Sequence, residues 1–125
     1  MPALRVLIVD DHEPVRKALR RLVTVEGWAV CGEAGDGGQS LDAVRALEPD
    51  VILMDLYLPD MSGIAASRRV LSEFPAIAIV LMTMPDPEIV DAARRAGIRG
   101  TVAKGTANLV GAVRAILDGG GLSTE

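Results

Sequence analysis

Five side chains with reactive or ligand-forming groups stand at the ends of short apolar segments of this chain. They are three carboxylates, one hydroxyl and one ammonium group, on Asp10, Asp11, Asp55, Thr83 and Lys104. Three carboxylates cannot lie together in the ionised state without a counter-charge. Mg2+ meets that need, because it prefers oxygen ligands and typically binds one or two carboxylates together with waters and a phosphate. A lysine is a point charge suited to a phosphoryl oxygen, so these groups together could hold a phosphoryl group on or beside a carboxylate.

Asp55 ends the most regular of these segments, V-I-L-M-D at Val51–Asp55, and a turn rich in Pro, Asp, Ser and Gly follows it. An uninterrupted apolar run is typical of a strand buried on both faces of a parallel sheet. Open α/β sheets bind their ligands at the carboxyl ends of such strands. A carboxylate at that position is costly to bury without a partner. We therefore expect a cationic group to meet Asp55.

Each of these side chains also has an interpretation without chemistry. Asp10 and Asp11 could place negative charge near the positive end of the first helix, and Asp55 could cap the helix that follows it. Thr83 could be a turn residue and Lys104 a surface lysine. The five would then stand at the ends of four strands by coincidence. The joint pattern therefore favours a site.

The elements that position these side chains alternate between strand and helix five times. The apolar segments predict strands at 4–9, 28–34, 51–55, 76–82 and 100–103. Apolar residues at helical spacing, with Pro and Gly at the boundaries, predict helices from 13 to 27, 41 to 47, about 62 to 74, 87 to 97 and 109 to 119. Gly35–Gly38 is predicted to be a flexible turn, and Asp86 to cap the fourth helix.

This alternation predicts a parallel sheet with helices on both faces and right-handed crossovers. The carboxyl ends of parallel strands meet at one edge of the sheet. Side chains that lie far apart in the sequence are thereby expected to become neighbours.

Length, composition and charge limit the class of protein. The 125 residues fit one domain, and half are hydrophobic, yet only Trp28, Tyr57 and Phe74 are aromatic, which predicts an aliphatic core. The net charge of −4 argues against a nucleic-acid surface. A single cysteine, Cys31, fits a reducing compartment, and the absence of a signal-peptide layout or a membrane-length apolar run predicts a cytoplasmic protein. We interpret paired basic residues as solvated helix faces: Arg16-Lys17, Arg20-Arg21, Arg68-Arg69 and Arg94-Arg95.

These residues and their order resemble the receiver domain of two-component response regulators over essentially the whole chain. The matching stretches are V-D-D-H at 9–12, D-L-Y-L-P-D-M-S-G at 55–63, Thr83 and Lys104. V-D-D-H-E-P-V-R and the closing G-G-G-L-S-T-E look most like the NarL/FixJ (LuxR-type) subfamily. The resemblance implies a flavodoxin-like, doubly wound (βα)5 fold with a five-stranded parallel sheet in the order 2-1-3-4-5. It also implies a receiver domain at 1–118, with 119–125 beginning a linker to a helix-turn-helix output domain that this chain lacks.

The resemblance implies that Asp55 is the nucleophile. It would take a phosphoryl group from a phosphohistidine on a sensor histidine kinase, giving an aspartyl phosphate. Asp11 and Asp55 would bind Mg2+ directly, with Asp10 acting through water and the backbone carbonyl of Tyr57 as a further ligand. The domain would assist its own phosphorylation and dephosphorylation without being an enzyme in the ordinary sense.

The resemblance also implies how the signal leaves the site. Lys104 and Thr83 would contact phosphoryl oxygens, and phosphorylation would promote homodimerisation and control transcription through the missing DNA-binding domain. The receiver domain itself would contact neither nucleic acid nor membrane. Thr101 stands where the family usually has an aromatic that turns inward as Thr83 moves, so Thr83 and Thr101 form the predicted switch pair. Met84 and Pro85 predict a bulkier, stiffer loop than usual after Thr83.

Three other functions compete with this interpretation. A pseudo-receiver would use the same fold only for protein interaction or dimerisation and would never be phosphorylated. An Mg2+-dependent phosphatase acting through an aspartyl phosphate usually needs a second acid two residues after the nucleophile, where this chain has Tyr57. A flavin or nucleotide binder needs a glycine loop after the first strand, where the acids at 10, 11 and 13 would repel a phosphate.

Overall fold

Five parallel strands form a single sheet in the computed structural model, which describes residues 3–120. The strands are β1 (Arg5–Val9), β2 (Ala29–Ala34), β3 (Val51–Asp55), β4 (Ala78–Met82) and β5 (Gly100–Val102). Their order is β2-β1-β3-β4-β5, and every neighbouring pair is parallel. The predicted flavodoxin-like strand order is confirmed.

Five helices connect and follow the strands. They are α1 (Glu13–Val25), α2 (Gly37–Leu47), α3 (Gly63–Glu73), α4 (Pro87–Ala96) and α5 (Leu109–Ala115), and a π-type turn (Ile116–Gly120) continues α5. The predicted cap of α4 is confirmed, because Asp86 accepts the N–H groups of Glu88 and Ile89. Gly27 and Gly97 follow α1 and α4 with φ of +92° and +90°, a backbone conformation that suits glycine at helix ends.

The sheet is buried on both faces, which explains the continuous apolar runs of its central strands. Alternate residues of each strand point to opposite faces. One face of the sheet packs against α1 and α5, through residues that include Ile8, Leu53 and Val113. The other packs against α2, α3 and α4, through residues that include Met54 and Val70. The two layers hold the strand ends in fixed positions.

The starts of two elements differ from the prediction by two residues or more. Residues 35–38 were expected to form a flexible turn, but Asp36 is the N-cap of α2 and Gly37 is its first residue. Strand β4 begins two residues later than predicted, because Ile77 N donates to Phe74 O in a turn that precedes it. Both differences arise from hydrogen bonds that apolar periodicity does not reveal.

The predicted linker at 119–125 lies only partly within the described residues. Residues 119 and 120 belong to the turn after α5, and 121–125 lie outside the described residues. The linker at 119–125 therefore stays a prediction. No helix within residues 3–120 is long and apolar enough to cross a membrane.

Candidate functional site

The sheet register brings the predicted acids together. Val9 lies opposite Met54, so Asp10 follows β1 at the level of Asp55 in β3. Carboxylate oxygens of Asp10, Asp11 and Asp55 all lie within 4.8 Å of one another. Asp10 is fully buried and Asp55 is 6% exposed, whereas Asp11 is exposed to solvent. The structure thus forms an acidic cluster with one open side at the carboxyl edge of the sheet.

Lys104 supplies the cation that Asp55 was expected to need. It follows β5, and its Nζ lies 2.6 Å from Asp10 Oδ2 and 3.1 Å from Asp55 Oδ1. The side chain of Lys104 is 35% exposed, so the ammonium group reaches the buried carboxylates from the solvent side. One positive charge therefore faces two of the three acids and leaves negative charge uncompensated.

The surroundings shift the pKa values of the paired groups in the directions that this geometry requires. Burial raises the pKa of Asp55 above its ordinary value, the hydrogen bond from Lys104 opposes the shift, and the charge of Asp10 adds to it. Burial disfavours the ammonium form of Lys104, but its contacts with Asp10 and Asp55 outweigh burial and raise its pKa. Lys104 therefore stays charged at neutral pH.

Asp10 is held by a network that extends to β2 and α1. Asp10 Oδ1 accepts the His12 N–H at 2.8 Å, and its backbone carbonyl accepts a hydrogen bond from Arg16 Nη1 at 2.6 Å. Arg16 Nε also lies 3.0 Å from Glu33 Oε1, and Arg20 binds the second oxygen of Glu33 at 2.7 Å. The network ties the turn that carries the acids to the neighbouring strand.

The interpretation of Arg16 as part of a solvated helix face is wrong. Its side chain is only 19% exposed, because it lies between the Asp10 carbonyl and Glu33. A sequence signal was available: Arg16 lies in the first turns of the helix after the acids, and Glu33 is near the end of the strand predicted to neighbour theirs. Only the sheet register, Ile8 opposite Glu33, makes that pair specific.

Gly63 is a further residue whose role the sequence did not reveal. Its N–H donates to Leu56 O at 2.7 Å, and a Cβ at this position would lie 2.1 Å from the backbone oxygen of Asp55. Only glycine fits such a close approach. The end of β3 is therefore packed directly against the start of α3, which fixes the backbone of Asp55.

The structure brings Thr83 to the site but places Thr101 in the adjacent strand. Thr83 lines a cleft of about 340 Å³ together with Asp55 and Lys104. Its hydroxyl donates to the carbonyl of Met84 at 3.3 Å, a long hydrogen bond. Thr101 pairs with Leu81 inside the sheet and is not among the described residues that line this cleft.

The rim of the cleft is apolar and open. Tyr57 and Met84, which both line the cleft, are 77% and 73% exposed. Pro85 and Ile89 complete its apolar side. The cleft beside Asp55 therefore faces solvent across exposed apolar side chains.

The donor set fits a hard divalent cation. All three side chains of the cluster offer carboxylate oxygens, which Mg2+ prefers over nitrogen or sulfur ligands. Asp10 Oδ2 is buried, and among the described residues only the Lys104 ammonium group, at 2.6 Å, meets it. A cation beside this cluster would relieve the uncompensated negative charge.

Comparison with known proteins identifies similar chains. A family model described as the response regulator receiver domain matches residues 6–114. Response regulator GacA of Pseudomonas viridiflava is 37% identical over 120 residues, which cover 93% of this chain and 56% of that protein. The chain thus spans about half the length of the curated relatives it matches.

Solved structures with the same fold include two regulators. A two-component response regulator of the LuxR family from Aurantimonas sp. SI85-9A1 is 38% identical, with a TM-score of 0.87 over 94% of this chain and 86% of that one. The non-phosphorylated receiver domain of the stress response regulator RcsB from Escherichia coli is 28% identical, with a TM-score of 0.87 over 98% of this chain and 99% of that one. The likeness to a LuxR-family regulator agrees with the subfamily expected from the sequence.

Proposed function

We propose that this chain, which belongs to the response regulator receiver domain family, is a phosphoacceptor switch that receives its phosphoryl group on Asp55. The donor would be a phosphohistidine of a sensor histidine kinase. One observation carries the proposal: Asp55, almost fully buried at the end of β3, lies beside two further carboxylates and 3.1 Å from Lys104. Neither a helix cap nor a surface lysine needs that arrangement.

The transfer requires positioning and charge neutralisation more than covalent chemistry by the protein. A carboxylate oxygen of Asp55 would attack the phosphorus while the bond from phosphorus to the histidine nitrogen breaks, and the electron pair of that bond stays on the imidazole. The close packing of Gly63 against the backbone of Asp55 keeps the nucleophile in place. The open rim of the cleft admits the donor.

The residues present could hold Mg2+ in the manner that the family resemblance implies. Asp11 and Asp55 would bind it directly, Asp10 would act through water, and the Tyr57 carbonyl would be a further ligand. When bound, Mg2+ would neutralise charge on the oxygens of the transferring phosphoryl group. Asp11, the exposed acid of the cluster, leaves the cation a path from solvent.

Lys104 and Thr83 would convert phosphorylation into a change of conformation. Lys104 would exchange its contacts with Asp10 and Asp55 for a phosphoryl oxygen, and the Thr83 hydroxyl would leave its long bond to Met84. Shifting a two-state switch from 1:99 to 99:1 takes about 5.5 kcal/mol. Charge-assisted hydrogen bonds contribute roughly 1.5–3 kcal/mol each, so both contacts are needed.

The output would be homodimerisation that acts through a domain outside this chain. The relatives are about twice as long as the match, and response regulator GacA is one of them. A helix-turn-helix domain after residue 125 would then bind DNA, and the receiver would act in the cytoplasm. Hydrolysis of the aspartyl phosphate by water would reset the switch.

Incubation with Mg2+ and acetyl phosphate, followed by intact mass measurement, tests the proposal. The native chain should gain the mass of one phosphoryl group and Asp55→Asn should gain none. Asp42→Asn, an exposed acid of α2, is the matched control and should behave like the native chain. A native chain that gains no phosphoryl group would instead favour a pseudo-receiver that acts only as an interaction module.

A further inference from the structure

The loop between β3 and α3, residues 56–62, is attached to the first turn of α2. Asp60 Oδ1 accepts the Gly37 N–H at 2.8 Å, and Asp60 Oδ2 accepts the Gly38 N–H at 2.9 Å. The first N–H groups of a helix have no partner within the helix and favour a negative charge. These two hydrogen bonds hold the pKa of Asp60 below its ordinary value. The attachment is therefore intact at neutral pH.

The helix α2 has a cap of its own besides Asp60. Asp36 is the N-cap residue, and its Oδ1 accepts the Gln39 N–H at 2.7 Å. The two carboxylates divide the free N–H groups of the first turn between them. Asp36 belongs to the helix, whereas Asp60 belongs to a loop and lies 22 residues after Gly38, whose N–H it accepts. Asp60 therefore restrains the loop as well as the helix.

Close packing of the same loop on α2 reinforces the attachment. A Cβ at Gly37 would lie 2.5 Å from Met61 Cγ and 2.6 Å from Met61 Sδ. Any side chain at position 37 would therefore displace Met61. The glycine that starts α2 therefore allows Met61 of the loop to pack in this position.

The other end of the loop is closed at the acceptor residue. Gly63 N donates to Leu56 O at 2.7 Å, and Tyr57 and Ser62 form an isolated bridge. The Tyr57 backbone also interacts with the Asp55 carboxylate and opposes the rise in its pKa. Tyr57 thus lies in a part of the loop that is fixed at Asp55 on one side and at Asp60 on the other.

We propose that Asp60 is a positioning residue for the metal, because its attachment to α2 holds the backbone that presents the Tyr57 carbonyl. The inference rests on the proposed function, which makes that carbonyl a ligand of Mg2+. Without the attachment, the cation would have to order the loop when it binds, and the lost conformational entropy would weaken its affinity. Residues that orient a metal ligand typically change metal affinity by about 10- to 100-fold when they are mutated.

Isothermal titration calorimetry of Mg2+ into the purified chain tests this role without depending on phosphorylation. Asp60→Ala should raise the Kd for Mg2+ about tenfold. Asp60→Asn keeps one acceptor oxygen and should give an intermediate Kd. Asp36→Ala is the matched control, because it removes a cap of the same helix but leaves the loop attached, and its Kd should equal that of the native chain.

Hydrogen exchange provides a second measurement on the same variants. The amides of Gly37 and Gly38 should exchange faster in Asp60→Ala, and faster exchange should extend to Tyr57. If Asp60→Ala does not fold, Asp60→Asn and Gly37→Ala, which displaces Met61, replace it and should also weaken Mg2+ binding.

The possible results separate this inference from the proposed function. Native binding with an unchanged Kd in Asp60→Ala overturns the inference alone. An equal loss of affinity in Asp36→Ala also overturns it, because the effect would then be a general loosening of α2. If the native chain binds no Mg2+, the proposed function fails and the inference fails with it.

Discussion

At the scale of single residues, the site is an arrangement of charges that do not cancel. Asp10, Asp11 and Asp55 lie within reach of one cation, and among residues 3–120 only Lys104 forms an ion pair with the two buried ones. Transfer of a phosphoryl group to Asp55 would add negative charge beside these acids, so an acceptor here would need a metal cation and Lys104 to neutralise it. The same arrangement costs stability whenever no cation is bound.

Asp55→Asn should therefore make the Mg2+-free protein more stable at neutral pH. The pKa of Asp55 is raised in the folded state, chiefly by burial, above its ordinary value of 3.8. A carboxyl group with a raised folded pKa binds its proton more tightly in the folded state, so the free energy of unfolding falls as pH rises from the unfolded to the folded pKa. Asparagine does not ionise, so the free energy of unfolding of the variant does not fall in this way.

Thermal denaturation in EDTA at pH values from about 4 to about 8 measures this effect. The variant and the native chain should differ little at the acid end, diverge through the titration of Asp55 and keep a constant gap above it. Asp42→Asn, at an exposed position, should show no such gap. Parallel curves for native and Asp55→Asn would contradict the cost assigned to the buried charge.

At the scale of elements, the carboxyl ends of β1 and β2 and the start of α1 act as one unit. Arg16 contacts the Asp10 carbonyl and Glu33, and Arg20 contacts the other oxygen of Glu33. Burial alone would raise the pKa of Glu33, but the hydrogen bonds and charges of Arg20 and Arg16 outweigh burial and lower it. Glu33 of β2 thus links this strand to α1 through two arginines.

Glu33→Gln should lower the free energy of unfolding by about 1 kcal/mol at neutral pH, a figure that allows for partial solvent screening. An acid with a lowered folded pKa stabilises the protein above its unfolded pKa, and this contribution is lost as pH falls through the folded pKa. The difference between variant and native should therefore shrink below about pH 4.

Urea denaturation at neutral and at acid pH measures the effect of Glu33→Gln. Glu13→Gln is the control, because Glu13 and Lys17 form a fully surface pair separated by 3.8 Å. That substitution should change stability by less than about 0.5 kcal/mol. An effect of Glu33→Gln as small as that of Glu13→Gln would show that the network does not join the elements.

At the scale of the whole molecule, the cleft lies at the carboxyl ends of β3, β4 and β5, beside the acids that follow β1. Thr83 follows β4 and donates its backbone N–H to Val102 O at 2.9 Å. A movement of the Thr83 backbone would therefore disturb the end of β5. Lys104 follows β5 and forms ion pairs with Asp10, which follows β1, and with Asp55 at the end of β3. A phosphoryl group on Asp55 would thus act on both the β4 and the β5 side of the domain.

Thr83→Ala should leave phosphorylation possible but weaken the conformational response. The lost contact, a hydrogen bond to a charged group, is worth about 1.5–3 kcal/mol, which reduces the shift between the two states by about ten- to hundredfold. Analytical ultracentrifugation with and without acetyl phosphate, beside intact mass, separates the two steps. Thr106→Ala, an exposed residue, is the control. Unchanged phosphorylation-dependent dimerisation in Thr83→Ala would contradict the role of its hydroxyl.

Sequence patterns were most informative where a local rule and the tertiary structure agree. The apolar run at Val51–Asp55 predicted its strand without error, and Asp86 followed by Pro87 predicted the start of α4. The start of α2 was missed because Gly37 and Gly38 are poor helix residues on their own. Asp60, distant in sequence, supplies the hydrogen bonds that place them in a helix.

The sequence by itself determined the candidate residues of the site, three acids, a hydroxyl and a lysine at strand ends, because apolar periodicity and end residues are local properties. The resemblance of its motifs to the receiver domain indicated the family. Only the tertiary structure decided which groups touch. The register of β1 against β3 sets Asp10 beside Asp55, the packing of α1 partly buries Arg16, and the approach of one loop to α2 engages Asp60. These contacts join residues far apart in the chain, and their geometry depends on how the helices and sheet pack together.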